Sequence, residues 1–457
     1  MRIHLIAMGG SVMHNLSIAL HINHHTVSGS DDEIYNPARD RLARYGLLPD
    51  KMGWDPKRIS ADIDCILLGM HARKDNPELL RAQELGLKIY SYPAFVYEMA
   101  KDKLRVVVAG SHGKTTTTSM IMQVLKQADM DFDYLVGAQL EGFDTMVQLS
   151  DAPIMVLEGD EYLSSPIDRR PKILHYQPQI SILTGIAWDH INVFPSYANY
   201  VEQFAIFLKG IAPGARLYYC ETDSEVQGLV DQFAQHLNGQ AYSEFPAEIK
   251  AGKTFLKGSN GQSYPIAVFG RHNLQNIQAA YWVCKELGVE EASFFEAMAH
   301  FTGAAKRLQI LAQSETNIAF LDFAHAPSKV KATIAALKEQ YPEARLRACL
   351  ELHTFSSLNK AFLPEYHHSM QAADEAIVYF SEHTLEIKRL PALVPSDIIQ
   401  AFEHPNMQVF TDRQAMVDYL DTARWTHTNL LMMTSGTFDQ MDMKGASQRW
   451  LNGELSA

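Results

Sequence analysis

The sequence predicts an α/β protein of about three domains. Apolar strand-like runs alternate with helix-like segments along most of the chain, and 457 residues exceed what one hydrophobic core organises. In addition, VVVAGSHGKTTTT at residues 106–118 sets a glycine-bounded loop between a buried strand and a helix, the context of a phosphate-binding loop.

In the first hundred residues, RIHLIAM (2–8) reads as a buried strand, Gly9-Gly10-Ser11 as a turn and NLSIALHIN (15–23) as a helix. HTVSGSDD (25–32) and DCILLGM (64–70) supply two more strands, and this alternation implies a parallel, doubly wound sheet. The glycine turn with Asp31 about twenty residues on follows the logic of a dinucleotide site, where glycines admit a phosphate and an acid meets a ribose. Val12 and Met13 break the full GxGxxG pattern, and ordinary turn glycines account for it equally well.

A second block opens at LRVVVAG (104–110). Within it, KTFLKGSNGQSYPIAVFG (253–270) predicts a hairpin turning at Asn260-Gly261. A third block starts near Leu308 and alternates again: IAFLDFA, the helix SKVKATIAALKEQ (328–340), LRACLEL (346–352), a longer helix, AIVYF (376–380) and NLLMMTSG (429–436).

The formal charge of −13 argues against a broad nucleic-acid footprint, while leaving room for a local anion pocket. Cys65, Cys220, Cys284 and Cys349 lie far apart and form no CxxC pair, so neither a zinc framework nor a disulfide scaffold is suggested, and a reducing compartment fits. The MRIHLIAMGG start is broken by glycine too soon for a signal sequence, and no long apolar run predicts a membrane span, so the cytoplasm is the expected location.

The phosphate loop has a specific physical basis. Loop amides and the helix N-terminus offer unpaired N–H donors and a positive dipole end to phosphate. Lys114 adds a cation for the terminal phosphates, and the Thr115 hydroxyl can ligate magnesium. Met120, Ile121, Val124, Leu125 and Ala128 form one apolar face of the following helix. Val108 occupies the position of the first glycine in the longer Walker pattern, so the loop is the shorter GxxGKT form. MVLEGDEY (155–162) and ISILTGIAWDH (180–190) then place Glu158 and Asp160, and Asp189 and His190, at successive strand ends. Singly these acids read as helix caps or solvated loop residues; together, after a phosphate loop, they suggest a nucleotide–metal site, though magnesium prefers oxygen to histidine.

The ordered series GSHGKTT (110–116), EGDEY (158–162), TGIAWDH (184–190), GRHNLQN (270–276), FTGAAKRLQ (301–309) and DFAHAPS (322–328) resembles the Mur ligase family along essentially the whole chain. The resemblance implies an ATP-driven enzyme that joins a carboxylate to an amine in cell-wall construction. It implies a Rossmann-like UDP-sugar domain at 1–103, a P-loop ATPase domain at 104–306, and a Rossmann-like domain at 307–457 that closes on ATP and binds the incoming peptide. ATP would be held by Gly110, Ser111, His112, Gly113, Lys114, Thr115 and Thr116, by His272, Asn273 and Asn276, and by Arg307 and Asp322. Mg²⁺ would be held by Thr115, Glu158 and His190. Catalysis would involve Lys114, Glu158, His190 and His325, the last either touching substrate or merely packing. UDP-N-acetylmuramate would be bound through Gly10, Ser11, Ser30, Asp31, His71 and Asn76.

Within the family, GMHARKDNPEL (69–79), EGDEYLSSPIDRRPKILHYQP (158–178) and ACLELHTFSSL (348–358) resemble the branch that adds a murein tripeptide, L-alanyl-γ-D-glutamyl-meso-diaminopimelate, in peptidoglycan recycling. Arg169, Arg170 and His353 would face its carboxylates. The alternatives are the branch that adds L-alanine and, more distantly, a nucleotide-binding module without ligase activity. The chain departs from the family pattern at Gly185 and Ala187 (usually Asn and Glu), at Ala326 (usually a second histidine), at Leu163 (usually Asp in the tripeptide branch) and at His353 (usually Arg). Residues 201–208 also lack the modified lysine of some relatives.

Overall fold

The computed structural model describes residues 1–303 and 307–452. The expected domain boundary at 306/307, with residues 304–306 of the FTGAAKRLQ motif, falls at a segment outside the described residues, as do 453–457. The chain divides into two compact units: residues 1–186, 198–243 and 276–297 form the first, and 187–197, 244–275 and the chain from 298 onward the second.

The first unit contains two sheets. β1 (Arg2–Ile6), β2 (Thr26–Ser30), β3 (Cys65–Leu68) and β4 (Lys88–Ser91) form an all-parallel sheet in the order β2-β1-β3-β4. Strands β5 (Leu104–Ala109), β6 (Phe132–Leu135), β7 (Val147–Gln148), β8 (Ile154–Gly159), β9 (Ile180–Leu183), β10 (Arg216–Cys220) and β11 (Asn238–Tyr242) form the second, in the order β11-β10-β9-β5-β8-β6-β7. Only β7 runs antiparallel within it. The valine run of β5 is fully buried between β9 and β8, as expected of a central parallel strand with both faces covered. Inside this unit, hydrogen bonds join helices beside the first sheet to the segment 139–146 beside the second, although the expected division puts them in separate domains. Arg41 donates to Asn15 Oδ1 (2.9 Å), Gln139 Oε1 (2.8 Å) and the Asp144 carbonyl (2.6 Å), and the Met146 amide donates to Asn15 Oδ1 (3.0 Å).

In the second unit, β12 (Ala247–Lys250), β13 (Lys253–Lys257) and β14 (Ser263–Ile266) form an antiparallel sheet. The turn between β13 and β14 holds Gly261 at φ 78°, as the Asn-Gly pair predicts, and Pro265 is tolerated because β14 is an edge strand. Strands β15 (Gln309–Gln313), β16 (Ile318–Asp322), β17 (Arg345–Glu351), β18 (Glu375–Tyr379), β19 (Met407–Phe410) and β20 (Thr428–Met433) form a sheet in the order β15-β16-β20-β17-β18-β19, antiparallel only at β15. Its central strands alternate strictly between two cores. Phe320, Ala348, Leu350, Val378, Leu431 and Met433 face one; Leu321, Cys349, Ile377, Tyr379, Leu430 and Met432 face the other.

The longer helix expected before AIVYF is absent from the described structure. Residues 352–374 are irregular apart from a 3₁₀ turn at Leu363–Tyr366. Thr354 and Ser357 exchange side-chain-to-backbone bonds (Ser357 Oγ accepts from the Thr354 amide at 2.9 Å, Thr354 Oγ1 from the Ser357 amide at 3.0 Å), and Pro364 removes an amide donor. Both effects compete with helical bonding.

Candidate active site

The phosphate loop follows from the geometry of β5. The strand ends at Ala109, the chain turns through Gly110 (φ 131°) and Gly113 (φ 77°), and the helix Lys114–Gln127 begins with no side chain capping its first amides. Those amides are therefore offered to a ligand, and a phosphate suits them. The turn is close-fitting: a Cβ at Gly110 would lie 2.1 Å from Thr184 Oγ1 and 3.0 Å from the Gly185 carbonyl. Gly110→Ala is expected to destabilise the protein by roughly 2–3 kcal/mol, combining this overlap with a disfavoured φ, and a urea unfolding midpoint measures it.

Lys114, its side chain 12% exposed, donates to the Gly110 carbonyl and to Glu161 Oε2, both at 2.6 Å. Burial opposes its charge, but Glu161, Asp160 and Glu158 outweigh burial and hold the ammonium above its ordinary range. Glu161 is itself 1% exposed and accepts from the Tyr200 hydroxyl at 2.8 Å. Lys172 pairs with Asp160. Glu158, at the end of β8, accepts from Thr115 Oγ1 (2.8 Å) and the Gly137 amide (2.6 Å). Burial raises its carboxyl, partly offset by Lys114. Sequence reading missed Glu161 and Tyr200; the third acid of EGDEY was the available signal, whereas nothing in the sequence marks Tyr200.

The departure at Gly185 has a steric reason. A Cβ there would fall 2.4 Å from the His112 ring, so the imidazole of the loop fills the space a larger residue would need. Ser111 is tied to the same point, its amide (2.9 Å) and hydroxyl (3.1 Å) both donating to the Gly185 carbonyl. Thr116 is buried in the first helical turn, and Asn276 lies against Gly113, where a Cβ would be 2.4 Å from Asn276 Oδ1.

Among the expected sugar-nucleotide residues, Gly10 and Ser11 begin the helix after β1, and Asp31 accepts from the Gly9 amide at 2.7 Å. His71 is exposed. Two further residues of this set have partners within the protein. Ser30 is fully buried and donates its hydroxyl to buried Glu78. Asn76 caps the helix Pro77–Glu84, its Oδ1 accepting from the amides of Glu78 (2.9 Å) and Leu79 (3.2 Å).

Burial raises the Asp31 carboxyl to about 6. A raised acid is protonated more readily in the folded state, so its contribution to stability is present below about pH 4 and lost as pH rises through 6. Asp31→Asn is therefore expected to gain about 2 kcal/mol on the parent between pH 4.5 and pH 7.5, read from paired denaturation curves.

The second unit brings Asp189, His325 and Lys329 together. Asp189 Oδ2 lies 3.8 Å from His325 Nε2 and 4.0 Å from Lys329 Nζ. Burial disfavours the carboxylate, yet His325, His190 and Lys329 hold it far below the ordinary range. Burial lowers the His325 imidazole, with Asp189 opposing, while its Nδ1 lies 3.1 Å from the Phe323 carbonyl. Ala326, in place of a second histidine, is the buried residue preceding the helix Pro327–Gln340. Asp322 accepts from the Leu308 amide (3.1 Å) and the Thr333 hydroxyl (2.7 Å), and burial lowers the nearby His272. Arg307 stacks 4.7 Å over the Phe323 ring, and Asn273 donates to the Phe269 carbonyl. His190 has a left-handed backbone (φ 55°), its amide donating to Asp189 Oδ1 at 2.7 Å. His353 is half-exposed, 3.7 Å from Glu351.

Of the expected peptide-facing arginines, Arg169 is exposed and Arg170 forms a two-pronged pair with Asp168 at 2.9 and 2.7 Å. Their segment is folded rather than loose. Leu163 bridges Pro171, Ser164 and Ser165 amides bond the carbonyls of Arg170 and Asp168, and the Lys172 and Ile173 amides return to Tyr162 and Asp160.

A strand–loop–helix phosphate cradle with a largely enclosed lysine and an adjoining carboxylate–threonine pair is the arrangement of a nucleoside-triphosphate site. Family models describe its neighbours: the Mur ligase family catalytic domain matches residues 2–104, the Mur ligase middle domain 108–284, and the Mur ligase glutamate ligase domain 306–436. A UDP-N-acetylmuramate–L-alanine ligase from Caldicellulosiruptor bescii is 30% identical over 385 residues, covering 82% of each chain. An Escherichia coli UDP-N-acetylmuramate–L-alanyl-γ-D-glutamyl-meso-2,6-diaminoheptandioate ligase is 26% identical over 360 residues, covering 77% of this chain and 79% of its own. The crystal structure of a murein peptide ligase from Psychrobacter arcticus shares the fold, with a TM-score of 0.65 at 22% identity and full coverage of both chains. The chain belongs to the Mur ligase family. It is accordingly an ATP-dependent, ADP-forming ligase that makes a C–N bond in building peptidoglycan precursors, with the family's three-domain α/β fold. No helix among the described residues is long and apolar enough to cross a membrane.

Proposed function

We propose that the chain joins the carboxylate of UDP-N-acetylmuramate to the amine of L-alanyl-γ-D-glutamyl-meso-diaminopimelate, in peptidoglycan recycling in the cytoplasm. The observation that carries this reading is the segment Tyr162–Tyr176. Its sequence resembles the tripeptide branch, and it packs through Lys172–Asp160 onto the acids beside Lys114. The E. coli relative, named for that substrate, supports it. Arg169 and His353 are the candidate contacts for a peptide carboxylate. The proposed domain limits are 1–103, 104–306 and 307–457.

In the proposed reaction, the muramate carboxylate attacks the γ-phosphorus of ATP, forming an acyl phosphate and releasing ADP. The peptide amine attacks the acyl carbon, phosphate leaves with the bonding pair, and the amine loses its proton. Lys114, released from Glu161, would neutralise the transferring phosphoryl group, and the uncapped amides of the helix Lys114–Gln127 would hold its oxygens. Thr115 Oγ1 and Glu158 form an adjacent pair of oxygen donors, the chemistry Mg²⁺ prefers. Magnesium bound there would supply charge neutralisation of the triphosphate.

A second reading, addition of L-alanine, has its own support: further L-alanine ligases match at 27–30% identity over similar spans. Initial rates of phosphate release with UDP-N-acetylmuramate and either acceptor separate the two. The tripeptide is expected to give at least about a hundredfold higher kcat/KM, since an acceptor site shaped for a larger ligand leaves buried polar groups unpaired with a small one. A higher value with L-alanine would replace the proposal with the alternative.

A further inference from the structure

We propose that His367, His368 and Glu403 form a surface site for one divalent transition cation of the zinc class, separate from the ATP-side oxygen donors. One ligand atom from each residue lies within 4.8 Å of the other two, and all three residues are exposed. His367 Nε2 and Glu403 Oε2 are 3.0 Å apart, and the two imidazole centroids are 3.6 Å apart. Donors around tetrahedral zinc, with bonds of about 2.0–2.2 Å, stand about 3.3 Å from one another. Side-chain rotations that close these separations would bring all three onto one ion.

The backbone explains how neighbouring histidines come to share a side. His368 has φ 56° and Glu403, the residue ending the helix Pro395–Phe402, has φ 51°. The His368 amide donates to the Phe402 carbonyl at 3.2 Å, so the segments carrying the donors are fastened together by the main chain. His404 is not part of the set: its Nε2 lies 3.0 Å from the Ala373 carbonyl and its Nδ1 accepts from the Asn406 amide. Two imidazoles and a carboxylate suit Zn²⁺, Co²⁺ or Ni²⁺ and disfavour Mg²⁺, which takes oxygen. With three protein donors, a fourth position stays open to water. A bound ion would tie the chain after the 3₁₀ turn Leu363–Tyr366 to the end of the helix Pro395–Phe402, stabilising the fold by linkage.

The full chain, stripped with a chelator, is titrated with Zn²⁺ by calorimetry and with Co²⁺ by visible absorption, both in excess Mg²⁺. One site is expected, with a Co²⁺ spectrum of nitrogen and oxygen ligation and a Zn²⁺-dependent rise in unfolding temperature. His367→Ala and His368→Ala should each weaken binding about tenfold or more, with circular dichroism unchanged because both side chains are at the surface. Equal affinity in a His367→Ala/His368→Ala double variant would place the metal on others of the chain's 19 histidines and overturn the proposal. So would a thiolate charge-transfer band, which would assign the ion to cysteine, or no saturable binding at all.

Discussion

Lys114→Ala is expected to lower ATP-dependent ligation by about a thousandfold, because the variant loses the cation that meets the transferring phosphoryl group. The buried setting complicates the readout in a predictable way. Glu161, 1% exposed, loses its ion-pair partner and keeps the Tyr200 hydroxyl. Breaking a buried ion pair by removing one partner costs about 3 kcal/mol, so the single variant should also unfold at lower denaturant. Lys114→Ala/Glu161→Gln separates the effects. The neutral amide can still accept from the Tyr200 hydroxyl and removes the charge that faced Lys114, so stability should largely return while turnover stays lost. If the double variant recovers activity along with stability, Lys114 serves the fold rather than the phosphate.

Glu158→Gln is expected to lower kcat about a hundredfold and to raise the Mg²⁺ concentration needed for half-maximal rate. The substitution keeps the shape and one carbonyl oxygen, so the fold should hold. It exchanges a carboxylate that accepts from both Thr115 and the Gly137 amide for a neutral group with a single acceptor. Burial already raises the Glu158 carboxyl, and Lys114 opposes that rise. Acid pH should therefore reproduce part of the Glu158→Gln defect in the parent enzyme, and a rate profile against pH at fixed free Mg²⁺ measures it. A Glu158→Gln variant with unchanged Mg²⁺ dependence would remove Glu158 from the metal site.

Much of this architecture could be read from local pattern. The valine run of β5, the glycines that follow and the apolar face of the helix Lys114–Gln127 are contiguous, so their signal survives in a single stretch. The Asn260-Gly261 turn is legible for the same reason, its positive φ being what that pair is chosen for. What escaped were relations across distance. Glu161 meets Tyr200 and Lys114 from far along the chain, and Asp189 meets His325 and Lys329 only after β16 and its following helix are in place. The bond from Ser30 to Glu78 is of the same kind, because a serine at a strand end can face either way and a distant residue supplies its partner. Asn76 was different: Asn before Pro at a helix start is a capping signature, and its oxygen does cap. Between 352 and 374, apolar residues were sufficient for a helix, but Thr354, Ser357 and Pro364 favoured other bonding.

The most direct test of the central claim follows an oxygen atom. UDP-N-acetylmuramate carrying heavy oxygen in its carboxylate is incubated with ATP, Mg²⁺ and the tripeptide, and the released phosphate is analysed by mass spectrometry. Attack of that carboxylate on the γ-phosphorus transfers one labelled oxygen to each phosphate formed, in step with ADP and amide product. Phosphate without label, or label found in AMP, would contradict the account, because the loop at Lys114 would then be hydrolysing ATP without activating the muramate, or the carboxylate would be activated at a different phosphorus.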